Sequence, residues 1–269
     1  MILVNGEARE DVPVTDRGLA YGDGLFETLA VQGGEPGHWQ RHMTRMAAGC
    51  TRLDLPMPDP ALWLAEARTV LASGTHGALK LMLTRGTGPR GYRPPPLPEP
   101  TRILMALDIP AYPAAWREEG VPVRVCETRL ARNPLLAGIK HLNRLEQVLA
   151  RNEWQDGFQE GIMLDTEDHV VEGTMSNLFL IRDGALHTPL LDQCGVAGVT
   201  RARVMACARG LGIPVYEGRF GLDDLFGADG LLLTNTLIGL WPVRALDGRA
   251  LPVSPLAGLL QRALDGAGP

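Results

Sequence analysis

A chain of 269 residues, 45% of them hydrophobic, is long enough to bury the core of one large domain or two moderate ones. Its net charge of -5 is spread without long runs of one sign, which excludes a surface that binds nucleic acid by bulk charge and fits an ordinary soluble protein. Cys50, Cys126, Cys194 and Cys207 lie far apart and form no C-x-x-C pair or Cys/His cluster, so reduced thiols in a cytoplasmic protein are expected rather than disulfides or a zinc site. His38, His42 and His169 show no metal-ligand spacing. The opening MILVNGEARED turns polar within a few residues, so no signal peptide is expected, and no apolar run approaches the ~20 residues that span a bilayer.

In chain order, residues 2–4 followed by Asn5-Gly6 read as a strand and tight turn, and 25–31 as a second strand. Helical spacing follows at 42–53 and 61–71, and 78–83 alternates as a strand. Residues 90–100 are too rich in proline for a helix or a central strand and should form an extended loop. After a strand at 103–107, the turn-rich stretch 109–120 is the expected linker between an N-terminal domain, 1–108, and a C-terminal domain, 121–269. The second domain mixes strands at 121–126, 161–165, 178–181 and 230–234 with helices at 143–155, 200–210 and 255–267. This mixture indicates an α+β class without fixing the topology.

The segment GIKHLNRLEQVLARNEW (138–154) sets a lysine before an amphipathic run. Leu142, Leu145, Val148 and Leu149 have helical spacing, with Arg144, Glu146, Gln147 and Arg151 between them, so Lys140 is expected at a helix entrance. Most lysines are simply exposed charges. Lys140 follows Leu135, Leu136, Ala137, Gly138 and Ile139, however, and a poorly solvated segment favours the neutral amine, which is a nucleophile able to form a Schiff base.

Four further sites carry chemistry. Glu172 in VVEGTMSN ends a strand beside a turn and, taken alone, reads as a solvated charge. In GVAGVTRARV, Gly198, Val199 and Thr200 precede a helical run, where free N–H groups and the helix dipole favour an anion; Thr200 is equally well placed as a helix N-cap, and the two roles are compatible. Arg45 in HMTRM is, by itself, a surface arginine on a helix. Arg90 in GTGPRGY, two residues before Tyr92, has a planar fork that can bind a carboxylate bidentately, on a segment that reads equally as a mobile, solubilising loop. His141 beside the lysine reads as an acid or base, or equally as a residue that faces outward or holds the backbone, and is assigned no role. Gly22-Asp23-Gly24 lacks the dinucleotide fingerprint and fits a tight backbone instead.

Seven segments now stand in one order: TDRGLAYGDGLFET (15–28), HMTRM (42–46), LTRGTGPRGYRPP (83–95), KHLNRLEQVLAR (140–151), VVEGTMSNLFLI (170–181), GVAGVTRARV (195–204) and LLTNTLIGLWPV (232–243). Together they resemble, over nearly the whole chain, the fold-type IV pyridoxal-phosphate enzymes of the class IV aminotransferase-like family. The KHLNRLEQ and RGTGPRGY forms resemble its aminodeoxychorismate lyase branch more than its D-amino acid or branched-chain aminotransferase branches. The resemblance implies an α+β fold with a small N-terminal α/β domain and a larger, barrel-like C-terminal α/β domain. It also implies pyridoxal 5'-phosphate as cofactor, with Lys140 as Schiff-base lysine and general acid/base, and Glu172 against the pyridine nitrogen. Gly198, Val199, Thr200, Asn235 and Thr236 would hold the phosphate, with Arg45 as counter-charge. Arg90 and Tyr92 would bind substrate carboxylates from a loop donated by the neighbouring subunit, which implies a homodimer with its active site at the interface. The reaction implied is conversion of 4-amino-4-deoxychorismate to 4-aminobenzoate and pyruvate, a step of folate biosynthesis. The alternatives are a D-amino acid or branched-chain aminotransferase, and a catalytically idle metabolite-binding protein on the same fold.

Overall fold

A computed structural model describes residues 1–72 and 74–267. The chain divides into two compact units, Met1–Pro110 with Ile139–Asn143, and Ala111–Gly138 with Arg144–Pro269.

The first unit contains β1 (Ile2–Val4), β2 (Glu7–Ala8), α1 (Arg17–Tyr21), β3 (Gly24–Gln32), β4 (Glu35–Pro36), α2 (Trp39–Leu53), α3 (Pro60–Val70), β5 (Gly77–Thr84) and β6 (Thr101–Leu107). Among the described residues its strands form a six-stranded antiparallel sheet in the order β2-β1-β6-β5-β3-β4. Asn5 and Gly6 both have positive φ, the geometry that lets a two-residue turn match the twist of the flanking strands. Leu25, Glu27, Leu29 and Val31 of β3 are buried at alternate positions, and Leu79, Leu81 and Leu83 of β5 follow the same period. α2 buries Met43, Met46 and Cys50, and α3 buries Trp63 and Ala67. Each leucine fully withdrawn from water contributes about 2 kcal/mol. Asp59 caps α3 by accepting from the Ala61 N–H, with Pro60 opening the helix. The proline-rich stretch 90–100 forms neither helix nor strand.

The second unit contains α4 (Ala114–Glu118), β7 (Val121–Leu130), α5 (Leu145–Arg151), β8 (Glu160–Asp165), β9 (Val170–Gly173), β10 (Asn177–Arg182), β11 (Ala185–Pro189), α6 (Val199–Gly210), β12 (Val215–Gly218), α7 (Leu222–Phe226), β13 (Gly230–Asn235), β14 (Gly239–Leu246), β15 (Arg249–Ala250) and α8 (Leu256–Gly266). The sheet runs β12-β11-β10-β13-β14-β7-β8-β9, with β15 beside β14. It is mixed, since β11/β12, β14/β7 and β7/β8 pair in parallel. The sheet curls far enough that the Val170 N–H at one end donates to the Phe220 carbonyl beyond β12 at the other, 2.8 Å away. Both faces are covered, which is why its strands read as continuous apolar runs. Leu178, Leu180, Leu231 and Leu233 enter one core with Trp241. Phe179, Ile181 and Leu232 enter the other, against Val204 and Met205 of α6 and Leu260 and Leu264 of α8.

Three expectations change. Residues 109–120, expected as a turn-rich linker, contain the division between the units at Pro110/Ala111 and also hold α4, with the Tyr112 and Trp116 rings 4.9 and 5.2 Å from that of Trp241 in the second unit. The helix expected at 143–155 is confined to Leu145–Arg151, and the apolar side chains of its pattern, Leu145, Val148 and Leu149, are exposed. The strand β14, lying largely within the 232–243 segment, was not foreseen, because Trp241-Pro242 interrupts the pattern a strand normally shows. Among the described residues, no helix is long and apolar enough to cross a membrane.

Candidate active site

Lys140 does not stand at a helix entrance. It belongs to the short segment Ile139–Asn143, which lies with the first unit and runs antiparallel to the start of β3. The Phe26 N–H donates to the Lys140 carbonyl (2.9 Å) and the Leu142 N–H to the Gly24 carbonyl (3.0 Å), while Asn143 Nδ2 donates to the Gly22 carbonyl (3.1 Å). The backbone on both sides of the lysine is therefore fixed by sheet-like pairing. Its Nζ lies 4.4 Å above the centre of the Phe26 ring, a contact that favours one direction for the amine. Phe26 was overlooked in the sequence; its place in DGLFET, on the strand that Lys140 pairs with, is visible only once the pairing is known.

Arg45, on α2, is no surface arginine. Its Nε donates to Glu27 Oε1 (2.8 Å) and its Nη2 to Glu27 Oε2 (2.5 Å), and His42 Nδ1 lies 2.7 Å from the same Oε2. Burial alone would push the Glu27 carboxyl up; Arg45 and His42 more than offset this and hold it below the usual carboxylate range. Two of the Arg45 nitrogens are thus committed to a buried ion pair, which lessens the charge it can offer an anion.

In the second unit, Glu172 on β9 is 4% exposed, so the solvated-charge reading fails. Its Oε2 accepts from the Val196 N–H (2.9 Å) and from Asn177 Nδ2 (3.3 Å), and the same amide nitrogen donates to the Val196 carbonyl (2.8 Å). Arg144 is near enough for its charge to be felt: burial lowers its pKa, while the negative charges of Glu172 and Glu146 oppose that. The donors from Val196 and Asn177 fix the Glu172 carboxyl in place.

A second buried carboxylate organises the turn after Glu172. Glu160 Oε1 accepts from the N–H of Gly161 (2.9 Å), the N–H of Thr174 (3.0 Å) and the Thr174 hydroxyl (2.5 Å). Its Oε2 accepts from the Met175 N–H (3.2 Å) and the Ser176 hydroxyl (2.7 Å). Asn235 Nδ2 then donates to the Met175 carbonyl (3.1 Å), while Asn235 Oδ1 accepts from the N–H groups of Leu237 and Ile238. The Asn235 side chain is accordingly a brace for the turn that carries Thr236.

The N-cap of α6 is Gly198, not Thr200, which lies buried within the first turn. Gly198 brings no capping side chain, so it leaves to another group the first N–H groups of a twelve-residue helix. A Cβ at Gly198 would overlap Asn177 Oδ1, the amide that steadies Glu172. The glycine, Asn177, Val196 and Glu172 therefore form one connected cluster. Arg90 and Tyr92 lie exposed on the loop between β5 and β6, Tyr92 at 86%.

These residues suit pyridoxal phosphate. The cofactor needs a lysine, an anion for its ring nitrogen and a nest of N–H groups for its phosphate. Lys140, buried Glu172 and the side-chain-free start of α6 are of those three kinds.

The model of the family described as amino-transferase class IV matches residues 24–246. Aminodeoxychorismate lyase from Vibrio harveyi is 40% identical over 268 residues, covering 99% of this chain and 98% of the relative. The crystal structure of 4-amino-4-deoxychorismate lyase from Pseudomonas aeruginosa superposes with a TM-score of 0.95 at 49% identity, covering 99% of this chain and 98% of that one. A hypothetical aminotransferase from Mycobacterium tuberculosis in its PLP-bound form gives 0.85 at 27% identity, covering 99% and 98%. With a family match over most of its length and full-length likeness in both sequence and fold, the chain belongs to the class IV aminotransferase family of fold-type IV enzymes.

Proposed function

We propose that the chain is a pyridoxal-phosphate-dependent lyase that converts 4-amino-4-deoxychorismate to 4-aminobenzoate and pyruvate. The observation that carries the reading is the buried Glu172, held in place by the Val196 N–H and Asn177, where a chain without such chemistry would place an apolar residue. The 40% and 49% identities to lyases, against 32% to a putative branched-chain-amino-acid aminotransferase and 31% to a D-alanine aminotransferase, favour the lyase branch.

When bound, the cofactor supplies an electron sink for the C–H bond broken next to the substrate nitrogen. Lys140 would hold the cofactor, and its Nζ would take the proton from the ring carbon that bears nitrogen. The enolpyruvyl C–O bond then breaks as the ring becomes aromatic, and Nζ returns a proton to the departing enolpyruvyl carbon to give pyruvate. Glu172 would meet the ring nitrogen and favour its protonated form. The N–H groups at Gly198, Val199 and Thr200, with the Asn235-Thr236 turn, hold the phosphate. Arg45, paired with Glu27, adds less than an unpaired arginine would. Arg90 and Tyr92 meet the substrate carboxylates.

Exposed Leu135, Leu145, Val148 and Leu149 on the second unit support a homodimer, since monomers rarely leave so many large apolar groups in water. The cytoplasm is the proposed compartment. Burial pushes the thiol of Cys50 up to about 11 and those of Cys126 and Cys194 up to about 12, which suits inert, reduced cysteines.

The test supplies cofactor-loaded protein with freshly generated 4-amino-4-deoxychorismate and follows 4-aminobenzoate and pyruvate together, with D-alanine plus 2-oxoglutarate as the parallel reaction. Equimolar products support the lyase, and glutamate without 4-aminobenzoate moves the chain to an aminotransferase branch. Lys140→Ala is expected to abolish turnover; a near-native rate in that variant would remove the assignment.

A further inference from the structure

Arg17 opens α1 and is 3% exposed, yet it is not part of any hydrophobic core. Its guanidinium uses all three of its nitrogens. Nε donates to Asp23 Oδ2 (2.8 Å), Nη1 to the Gly91 carbonyl (2.9 Å) and Nη2 to the Tyr92 carbonyl (2.9 Å). The plane lies 4.8 Å over the Tyr21 ring, and the Tyr21 hydroxyl in turn accepts from the Gly91 N–H (3.2 Å). Asp23 also accepts from Arg85 Nε (2.9 Å), and Arg85 is fastened by its other nitrogens to the carbonyls of Leu53 and Asp54 at the end of α2. Neighbouring Asp16 closes the base of the same loop: its Oδ2 accepts from the hydroxyls of Thr84 and Thr101, the residues where β5 ends and β6 begins.

The loop is therefore clamped at its base by Asp16 and at its tip by Arg17, while the side chains of Arg90 and Tyr92 remain exposed. Placing a buried charge under an exposed tip is costly unless every donor is satisfied, and here the donors are spent on the backbone of residues 91 and 92. Such an arrangement fixes direction: it removes the ordering cost that a free loop would meet on capturing a ligand.

We propose that Arg17 is a positioning residue, clamping the Gly91 and Tyr92 carbonyls so that Arg90 and Tyr92 are held ready for the carboxylates of the substrate. This rests on the reading of Arg90 and Tyr92 given above. Lysine at position 17 keeps the charge and can keep the Asp23 pair, but it has no fork with which to hold two carbonyls.

The holoenzyme is compared with Arg17→Lys, Tyr21→Phe, Arg90→Ala and the Arg17→Lys/Arg90→Ala double variant. Arg17→Lys is expected to raise KM about tenfold with kcat nearly unchanged and with the visible absorbance of the bound cofactor retained. The double variant should show less than the product of the two single effects on KM, because the part of the Arg17→Lys effect that acts through Arg90 is already lost in Arg90→Ala. Tyr21→Phe, which removes one acceptor and no charge, gives a smaller rise in KM and covers the case in which Arg17→Lys fails to fold. Trypsin should cut after Arg90 faster in Arg17→Lys than in the parent protein. An unchanged KM in Arg17→Lys or Tyr21→Phe, where Arg90→Ala raises it, overturns the clamp. An unchanged KM in Arg90→Ala overturns the reading of the loop, and this inference with it.

Discussion

Two turns in this protein are each governed by one buried charge, and the charge has opposite sign in the two places. The loop tip at 91–92 is held through its carbonyls by Arg17, and the turn at 174–176 through its N–H groups and hydroxyls by Glu160. At the first, the Tyr92 side chain of the clamped tip is exposed; at the second, the clamp continues through Ser176 into buried Asn177 and Glu172. The difference separates two kinds of preorganisation. An exposed tip needs only its direction fixed, whereas a buried carboxylate such as Glu172 needs its position and its charge state maintained together.

Removing Glu160 should separate the two most sharply. In Glu160→Ala, the hydroxyls of Thr174 and Ser176 and the N–H groups of Gly161 and Met175 lose the Glu160 carboxylate at a site that water does not reach freely. A stability loss of about 3 kcal/mol or more is expected in urea titration, together with weaker retention of the cofactor. Arg17→Lys, by contrast, should leave cofactor retention intact. Equal cofactor retention in Glu160→Ala and the parent protein would show that the second turn does no more than the first.

How much of this was legible differs between the two turns. Five prolines at 94, 95, 96, 98 and 100 remove the N–H groups a strand or helix needs, so the loop could be read directly, and RGY within it pointed to an anion. Glu160 could not be read, because its donors come from residues 161 and 174–176 and no local spacing marks it. Arg17 was passed over for the same reason: its partners lie at 91 and 92. Lys140 reads as a candidate nucleophile from its neighbours, but its setting is not legible there, since the helix that follows begins only at Leu145 and its backbone pairs with distant β3. The leucines of that pattern are real but face outward, because amphipathic spacing tells which side chains share a face and not what covers it.

Gly198→Ala is a milder change aimed at the buried turn alone. The added Cβ meets Asn177 Oδ1, the end of a side chain that can rotate away, so the steric cost is modest. Rotation, however, sacrifices the Asn177 bonds to Glu172 and to the Val196 carbonyl. About 1–2 kcal/mol of stability should be lost, with the effect on cofactor affinity larger than that on KM for substrate. The reverse order of effects, with KM rising and cofactor binding constant, would place Gly198 with the exposed loop instead.

The smallest effect is a pH dependence that belongs to the Arg17 clamp. Burial alone would raise the Asp23 carboxyl, but Arg85 and Arg17 bring it below its ordinary value of 3.8. A carboxyl whose folded pKa is depressed contributes stability at pH values above its unfolded pKa, and that contribution fades as pH falls through the folded value. The parent protein should therefore lose stability more steeply below pH 3.8 than Asp23→Asn does. The variant begins lower, because two buried guanidinium groups have lost their shared counter-charge, and the two curves should converge toward the acid end. Parallel curves across that range would mean that Asp23 is not the group that keeps the two arginines, and with them the loop tip, in place.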